Sequence, residues 1–389
     1  MPATPWSSLR ARLRHPLIQA PMAGVQDSAL AVAASRAGAL GSLPAAMLDA
    51  AGLARELQVL QRELGTQGLP YNVNFFCHRP PRPDPLREAA WRATLAPYYA
   101  QLGLDPNEPA AAPQRQPFNA ELADALASAP PPVVSFHFGL PTPDLLDRVK
   151  GWGSVVLSSA TTVEEALWLQ AHGADAVIAQ GWEAGGHRGH FLQADHDLSG
   201  QRPLQQLLPA LRQALWLPVV AAGGLGQPDA VAAALQAGAA AVQVGTAFLL
   251  CDEAKTPPLH RQALMRAAQA RTPSGHAGSG DGDLTTVTRL FTGRPARGLR
   301  NRLLREVDPL SPAAPAFPLA GAALAPLRAK AEAAGLDDFS PLWSGQCPQG
   351  CRSVPVAAMV DSLMSAWADG AAHAGTGERA RMSAGAWGG

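Results

Sequence analysis

The chain has 389 residues, enough for one large domain or two ordinary ones, and its 31 Lys and Arg balance its 31 Asp and Glu. This neutrality gives no electrostatic reason to expect nucleic acid or an anionic membrane as a partner. The chain shows neither an apolar signal segment nor an uninterrupted membrane span, and its four cysteines suit a reducing compartment without forming a zinc motif, so we expect a cytoplasmic protein without a metal.

Short apolar runs of strand length recur along the first 250 residues, and helical patterns separate nearly all of them. The predicted strands are 16–22, 39–43, 71–76, 132–137, 154–159, 175–179, 218–224 and 240–246. Strands that alternate with helices indicate a parallel sheet with helical crossovers. Eight such units in about 250 residues predict an α/β fold, the TIM (β/α)8 barrel. An open dinucleotide-binding sheet is disfavoured because no GxGxxG follows the first strand.

Two regions depart from this period. Within the predicted barrel, 1–270, residues 78–130 carry a proline cluster and then aromatic residues, and they are interpreted as an insertion because the pattern resumes afterwards. Residues 271–369 are predicted to form a smaller, mainly helical C-terminal subdomain that closes the substrate site. It is expected to contain a flexible loop at 272–283, an extended segment at 285–293, a basic helix at 297–305 and helices at 324–334 and 355–368. The tail 370–389 is small, polar and low in complexity, and is predicted to be disordered.

The sixth predicted strand runs directly into a glycine-rich segment, GlyTrpGluAlaGlyGlyHisArgGlyHis at 181–190. Glycines let backbone N–H groups approach a ligand and accept positive φ without strain. His187, held at the mouth of a strand by Gly185 and Gly186, is therefore a candidate for catalysis. The alternative is a mobile surface loop whose histidine is solvated.

Glycines also follow the seventh and eighth predicted strands, at Gly223–Gly224 and at Gly245–Thr246. In a TIM barrel these two places often bind phosphate, because bare backbone N–H groups lie there beside a helix N-terminus. We therefore expect a phosphorylated ligand. The alternative is that the glycines only permit tight turns.

Neutral polar side chains end most of the other strands. They form neither a carboxylate pair, as in glycosidases, nor a metal-binding cluster. Neutral donors and acceptors around a phosphate anchor suit a flat heterocycle, and flavin mononucleotide (FMN) fits better than a sugar phosphate. The polar residues are Gln19, Asn72, Asn74, His137, Ser158, Gln180 and His187.

Several segments together resemble the nitronate monooxygenases, formerly called 2-nitropropane dioxygenases. The GluAlaGlyGlyHis block is shared with flavin-dependent enoyl-ACP reductases and NADH:quinone reductases, so that block indicates the scaffold and not the reaction. The segments are GlnAlaProMet at 19–22, AsnValAsnPhePheCysHis at 72–78, SerPheHisPheGlyLeuPro at 135–141, AlaGlnGlyTrpGluAlaGlyGlyHisArgGly at 179–189, AlaAlaGlyGly at 221–224, GlnValGlyThrAlaPheLeu at 243–249 and LeuTrpSerGlyGln at 342–346.

The resemblance implies an FMN-dependent oxidation of alkyl nitronates, such as propionate 3-nitronate, by O₂, with a carbonyl product and nitrite or nitrate. It places the catalytic His187 beside the flavin. For substrate binding we expect His137, which ends a strand at the same mouth, together with Tyr98 and Trp343, and we expect a monomer or a homodimer. The residues implied to bind FMN are Ala20, Pro21, Met22, Asn74, Gln180, Gly185, Gly186, Gly223, Gly224, Gln243, Gly245 and Thr246.

One departure from the family concerns the substrate pocket, which relatives tend to line with tyrosines and a lysine from the C-terminal part. Here every tyrosine precedes residue 100, and 285–350 holds only Lys330. Tyr98, Tyr99, Trp343 and the arginines of 294–302 are the candidates to replace them. Two other functions stay open: an NAD(P)H-dependent FMN reductase of enoyl-ACP or quinone substrates, and a barrel that binds a phosphate ligand without turnover.

Overall fold

The computed structural model describes residues 4–106, 115–194, 197–270 and 284–368. Most of its strands form one parallel sheet in the order β1-β9-β8-β6-β5-β4-β3-β2. In chain order the strands are β1 (Leu17–Gln19), β2 (Gly41–Pro44), β3 (Tyr71–Phe76), β4 (Val133–His137), β5 (Val155–Ala160), β6 (Ala176–Gln180), β7 (Gly186–His187), β8 (Val219–Ala222), β9 (Ala241–Val244), β10 (Thr285–Thr288) and β11 (Ala296–Leu299).

The two ends of this sheet meet. Ile18 of β1 forms a parallel bridge with Leu40, which directly precedes β2. The backbone N–H of Leu40 donates to the carbonyl of Leu17 over 2.8 Å, and that of Gln19 donates to the carbonyl of Leu40 over 2.9 Å. The predicted TIM barrel and its eight strands are confirmed.

Helices cover the outer face of the barrel. Several begin where a side chain accepts a hydrogen bond from a free N–H of the first turn, as Asp27, Asp49, Asn119 and Thr162 do. The helices are α1 (Pro5–Ala11), α2 (Ser28–Arg36), α3 (Ala50–Glu63), α4 (Pro85–Leu102), α5 (Ala120–Ala127), α6 (Pro143–Gly151), α7 (Val163–Ala171), α8 (Leu204–Ala214), α9 (Pro228–Gln236), α10 (Pro258–Gln269), α11 (Arg302–Glu306), α12 (Gly321–Ala333) and α13 (356–368).

The strands are buried on both faces, which explains their continuous apolar sequences. Trp6 and Leu9 of α1 pack against the interior residues Ile18, Leu157 and Val220. A helix therefore closes one end of the barrel with apolar contacts.

The insertion and the C-terminal part share a hydrophobic core. Trp91 of α4 packs with Leu327 of α12 and with Phe339, and its indole N–H donates to the carbonyl of Ala320 over 3.1 Å. Helix α13 packs instead on the barrel, with Met359 in the barrel core. The domain limits given above stay a prediction, and the loop 272–283 and the tail 370–389 lie outside the described residues.

The predicted basic helix at 297–305 is wrong for its first half. Residues Ala296–Leu299 form β11, and a helix begins only at Arg302, after Asn301 accepts from the N–H of Leu304. Long-range pairing explains the difference, because β11 lies between β10 and β7 in an antiparallel sheet. The extended segment predicted at 285–293 is a strand only over Thr285–Thr288.

No helix of the described part of the chain is both long and apolar enough to cross a membrane.

Candidate active site

One cavity opens at the carboxyl ends of the barrel strands, where a TIM barrel carries its active site. Residues that follow β1, β6, β8 and β9 line it, together with residues from the C-terminal part. The predicted site residues found in its lining are Ala20, Pro21, Met22, Asn74, His137, Gln180, Gly185, Gly186, His187, Gly223, Gly224, Gln243, Gly245, Thr246 and Trp343.

The ends of β8 and β9 form one side of the cavity, which we call the glycine side (Gly223, Gly224, Gly245 and Thr246). Gly223 and Gly224 have φ values of 115° and 72°, which a residue with a side chain rarely adopts. Their backbone N–H groups, and those of Gly245 and Thr246, donate to no acceptor in the described residues. Free N–H groups from two adjacent strand ends are a donor set suited to a phosphate dianion.

The segment after β6 is held firmly. The Gln180 side chain donates to the carbonyl of His187 over 2.9 Å and accepts from the N–H of Gly189 over 2.8 Å. Arg188 is fully buried and donates to the carbonyls of Gly181 and Gln180 over 2.8 and 3.0 Å. This segment is therefore not the solvated surface loop considered as an alternative.

Strand β7 fixes the backbone of His187 itself. His187 and Gly186 pair with Ala296 and Arg297 of β11. The imidazole Nε2 lies 3.0 Å from the hydroxyl oxygen of Thr292, whose own proton points to the carbonyl of Arg294 over 3.4 Å. In the tautomer that matches this hydroxyl orientation, Nε2 donates to Thr292, and Nδ1 keeps a lone pair for which the described residues offer no donor.

Aromatic rings surround the imidazole of His187. The centroids of Phe76, Phe138, Phe317 and Trp343 lie 5.9, 6.1, 5.3 and 5.5 Å from it. Burial, and then the positive charge of Arg115, lower the pKa of His187 well below its usual value of about 6.5. A neutral imidazole with a free lone pair can act as a general base.

His137 also lines the cavity, but protein groups occupy both of its ring nitrogens. Nε2 donates to the carbonyl of His187 over 3.1 Å, and Nδ1 accepts from the hydroxyl of Ser159. Burial lowers the pKa of His137 to about 3, so the ring is neutral. The contacts of its side chain position the His187 segment, and its role in substrate binding stays a prediction.

Tyr98 does not lie at the cavity, and this corrects its expected role there. Its ring packs edge-on against Phe339 at 5.3 Å, with the guanidinium of Arg302 at 5.4 Å. The reason is that α4 turns this face towards the core that it shares with the C-terminal part. The arginines Arg294 and Arg297 are buried but do not line the cavity either.

Arg115 and His260 are among the polar residues of the lining that the sequence did not predict. Arg115 lies in the irregular end of the insertion, where no periodic pattern marks it. His260 of α10 reads as an ordinary core histidine, yet its Nε2 is buried without a partner in the described residues. The residues that the structure describes include no group of three or more His, Cys, Asp or Glu side chains suited to a metal ion.

Several known proteins that resemble this chain belong to one family. The family model for nitronate monooxygenase matches residues 7–366. A nitronate monooxygenase of Pseudomonas aeruginosa is 41% identical over 362 residues, covering 90% of this chain and 96% of that protein. One from Paraburkholderia phytofirmans is 39% identical, covering 90% and 91%.

Solved structures agree. A nitroalkane oxidase from Streptomyces ansochromogenes is 39% identical with a TM-score of 0.78, covering 93% of this chain and 98% of that one. FabK from Thermotoga maritima, at 23% identity and a TM-score of 0.66 over 98% and 99% of the two chains, supports the fold alone. The family model and the two relatives confirm the resemblance seen in the sequence: the chain belongs to the nitronate monooxygenase family.

Proposed function

We propose that this protein oxidises alkyl nitronates with O₂ in an FMN-dependent reaction. The observation that carries the proposal is that His187 and the glycine side line one cavity. One side suits the phosphate of a cofactor, and the other offers a base that is neutral at physiological pH. The names of the relatives agree with this reaction.

The residues fit FMN. The free N–H groups of the glycine side would hold its phosphate, and Met22, Asn74, Gly185 and Gln243, with Ala20, Pro21 and Gly186, would contact the rest of the molecule. Gln180 would act less directly, because its amide already holds the His187 segment. When bound, the flavin supplies the two-electron redox chemistry that no side chain of the cavity can supply.

His187 would take the proton that a neutral nitroalkane loses on its way to the nitronate. With Thr292 accepting the Nε2–H, the lone pair of Nδ1 would be the one available for that proton. The aromatic rings around His187 exclude water and so keep the imidazole neutral. A nitronate that arrives already deprotonated needs no base.

The test uses the purified protein reconstituted with FMN. We expect a yellow protein that propyl-1-nitronate bleaches without oxygen and that recovers its colour in air. Bleaching by NADH but not by the nitronate would instead favour the reductase, and failure to take up FMN would favour ligand binding without turnover. The carbonyl product with nitrite or nitrate, the cytoplasmic location and the monomeric or homodimeric state stay predictions.

A further inference from the structure

Among its described lining residues the cavity has one arginine, Arg115. Arg115 follows the undescribed residues 107–114 and precedes α5, and its guanidinium lies 5.7 Å from the centre of the Phe317 ring. The same Phe317 ring lies 5.3 Å from the imidazole of His187. Phe317 is therefore a neighbour of both Arg115 and His187, and both of these polar residues line the cavity.

Arg115 has no carboxylate partner in the described part of the chain, and its guanidinium donates no hydrogen bond there. The described lining of the cavity contains no Asp, Glu or Lys. Burial, and then the charge of Arg328, lower the pKa of Arg115 to about 10, so it is still protonated at neutral pH. A half-buried cation without a counter-ion is unfavourable unless a ligand brings the negative charge.

The histidines near Arg115 carry no charge of their own, so they neither neutralise its guanidinium nor pair with an anionic ligand. His187 and His137 are neutral, because burial lowers the pKa of both rings. The N–H groups of the glycine side belong to the ends of β8 and β9, whereas Arg115 and His187 have the Phe317 ring as a common neighbour. Arg294 also lies near His187, but it donates to the carbonyl of His190 and is not part of the described lining of the cavity. An anion in the cavity next to His187 would therefore find its charge partner in Arg115.

We propose that Arg115 is a substrate-binding residue that holds a planar anion with two oxygens. The nitronate group and a carboxylate on the substrate's carbon chain both have this chemistry, and both match the two parallel N–H groups of a guanidinium. The inference rests on the proposed function, because it concerns the substrate of that reaction. It also predicts that the enzyme prefers charged substrates to neutral ones.

The experiment uses four compounds that vary the two charges independently. They are 1-nitropropane, propyl-1-nitronate, 3-nitropropionate and the nitronate of 3-nitropropionate. KM and kcat are measured for the wild type and for Arg115→Gln and Arg115→Lys, with the FMN content of each. Arg328→Gln is the matched control, because Arg328 is a nearby cation that already pairs with Glu332 at 2.6 Å and does not line the cavity.

We expect Arg115→Gln to raise KM about 10- to 100-fold for the compounds that carry the bound anion, with little change in kcat. A loss on both nitronates, with or without the carboxylate, identifies the nitronate group. A loss on both compounds that carry a carboxylate, whether their nitro group is neutral or a nitronate, identifies the carboxylate. Arg115→Lys should lose less in each case, and Arg328→Gln should stay within about twofold of the wild type.

Three results would overturn the inference. They are an unchanged KM for all four compounds, an equal loss on neutral 1-nitropropane, and loss of FMN, which would assign Arg115 to the phosphate. If the wild type oxidises none of the compounds, the proposed function fails on its own. Anaerobic calorimetry with the nitronate of 3-nitropropionate, which carries both anionic groups, then still decides: weaker binding to Arg115→Gln than to the wild type supports the anion site, and equal binding refutes it.

Discussion

The two sides of the cavity are built in different ways. The glycine side comes from β8 and β9, which are neighbours in the barrel, and backbone N–H groups form it. Another part of the lining, which we call the histidine side (His187, Arg115 and Trp343), comes from segments that are far apart in the chain, and side chains form it. One side therefore depends on backbone conformation, and the other on tertiary contacts.

The largest effect is expected at His187, on the histidine side. His187→Asn should keep the fold and FMN, while turnover of neutral nitroalkanes falls about 10²- to 10⁴-fold, the usual contribution of a positioned base. Steady-state kinetics with 1-nitropropane and its nitronate check this. The control is His172→Asn, an exposed histidine stacked on Trp168 at 3.9 Å.

The role of His187 is decided by comparing the loss of activity on 1-nitropropane with the loss on its nitronate. A preformed nitronate should lose only what the imidazole contributes to binding. Equal losses on both substrates would make His187 a binding residue, and no loss on either would remove it from the reaction.

The next effect tests the glycine side. Gly224→Asp adds a Cβ about 3.3 Å from that of Glu183 and a carboxylate among the free N–H groups. Repulsion of a phosphate at about 4 Å in a partly buried site is on the order of 4 kcal/mol, enough to weaken FMN binding several hundredfold. Flavin absorbance of the purified variant measures this.

Gly224→Asn is the matched control, because asparagine has the same shape without the charge and tolerates positive φ. It should keep more FMN than the aspartate variant. Stoichiometric FMN in Gly224→Asp would show that the phosphate lies elsewhere.

A smaller effect is expected at Gly185, where the segment after β6 packs against Ser344 and Gly345. A Cβ at Gly185 would lie 2.5 Å from the backbone nitrogen of Gly345, so Gly185→Ala must push the two segments apart. Such overpacking costs about 1 to 3 kcal/mol of the free energy of unfolding. Gly151→Ala, where a Cβ meets nothing within 4 Å, is the control and should be neutral or slightly stabilising. Equal denaturation midpoints for both variants would contradict the close contact.

The smallest effect is expected from pH. Because the pKa of His187 is lowered, its base form persists as the pH falls, and kcat/KM for 1-nitropropane should stay nearly constant from about pH 8 to pH 6. With an ordinary pKa, about three quarters of the imidazole would be protonated at pH 6. A decline centred near pH 6.5 would show that the ring is well solvated.

The same pKa shifts affect stability. The pKa of His137 is about 3 in the folded protein, so below about pH 6.5 the unfolded chain binds a proton that the folded chain does not. The contribution of His137 to the free energy of unfolding is therefore most favourable above pH 6.5, and it becomes less favourable as the pH falls towards 3. Denaturant titrations at pH 7 and pH 5 should therefore show a lower free energy of unfolding at pH 5, and His137→Asn should reduce that difference.

The sequence was most informative where local chemistry decides the structure. Apolar runs separated by helical patterns predicted all eight barrel strands, and positive φ at Gly223 and Gly224 explains why those residues are glycine. It was least informative on the histidine side. Arg115 has no periodic context, and Tyr98 was misplaced because nothing local shows which way α4 turns. Arg297 was predicted in a helix because its pairing with Gly186 depends on a distant segment.

The pairing of β7 with β11 also bears on the order in which the chain assembles. His187 meets Ala296 roughly 110 residues later, so this contact closes a long loop, whereas β8 and β9 are joined by a single helix. During synthesis the residues up to β9 emerge before β11 exists. We expect a nascent chain to form the glycine side before His187 reaches its final position. Pulse-labelled hydrogen exchange should then detect protection of the amides of β8 and β9 before those of β7.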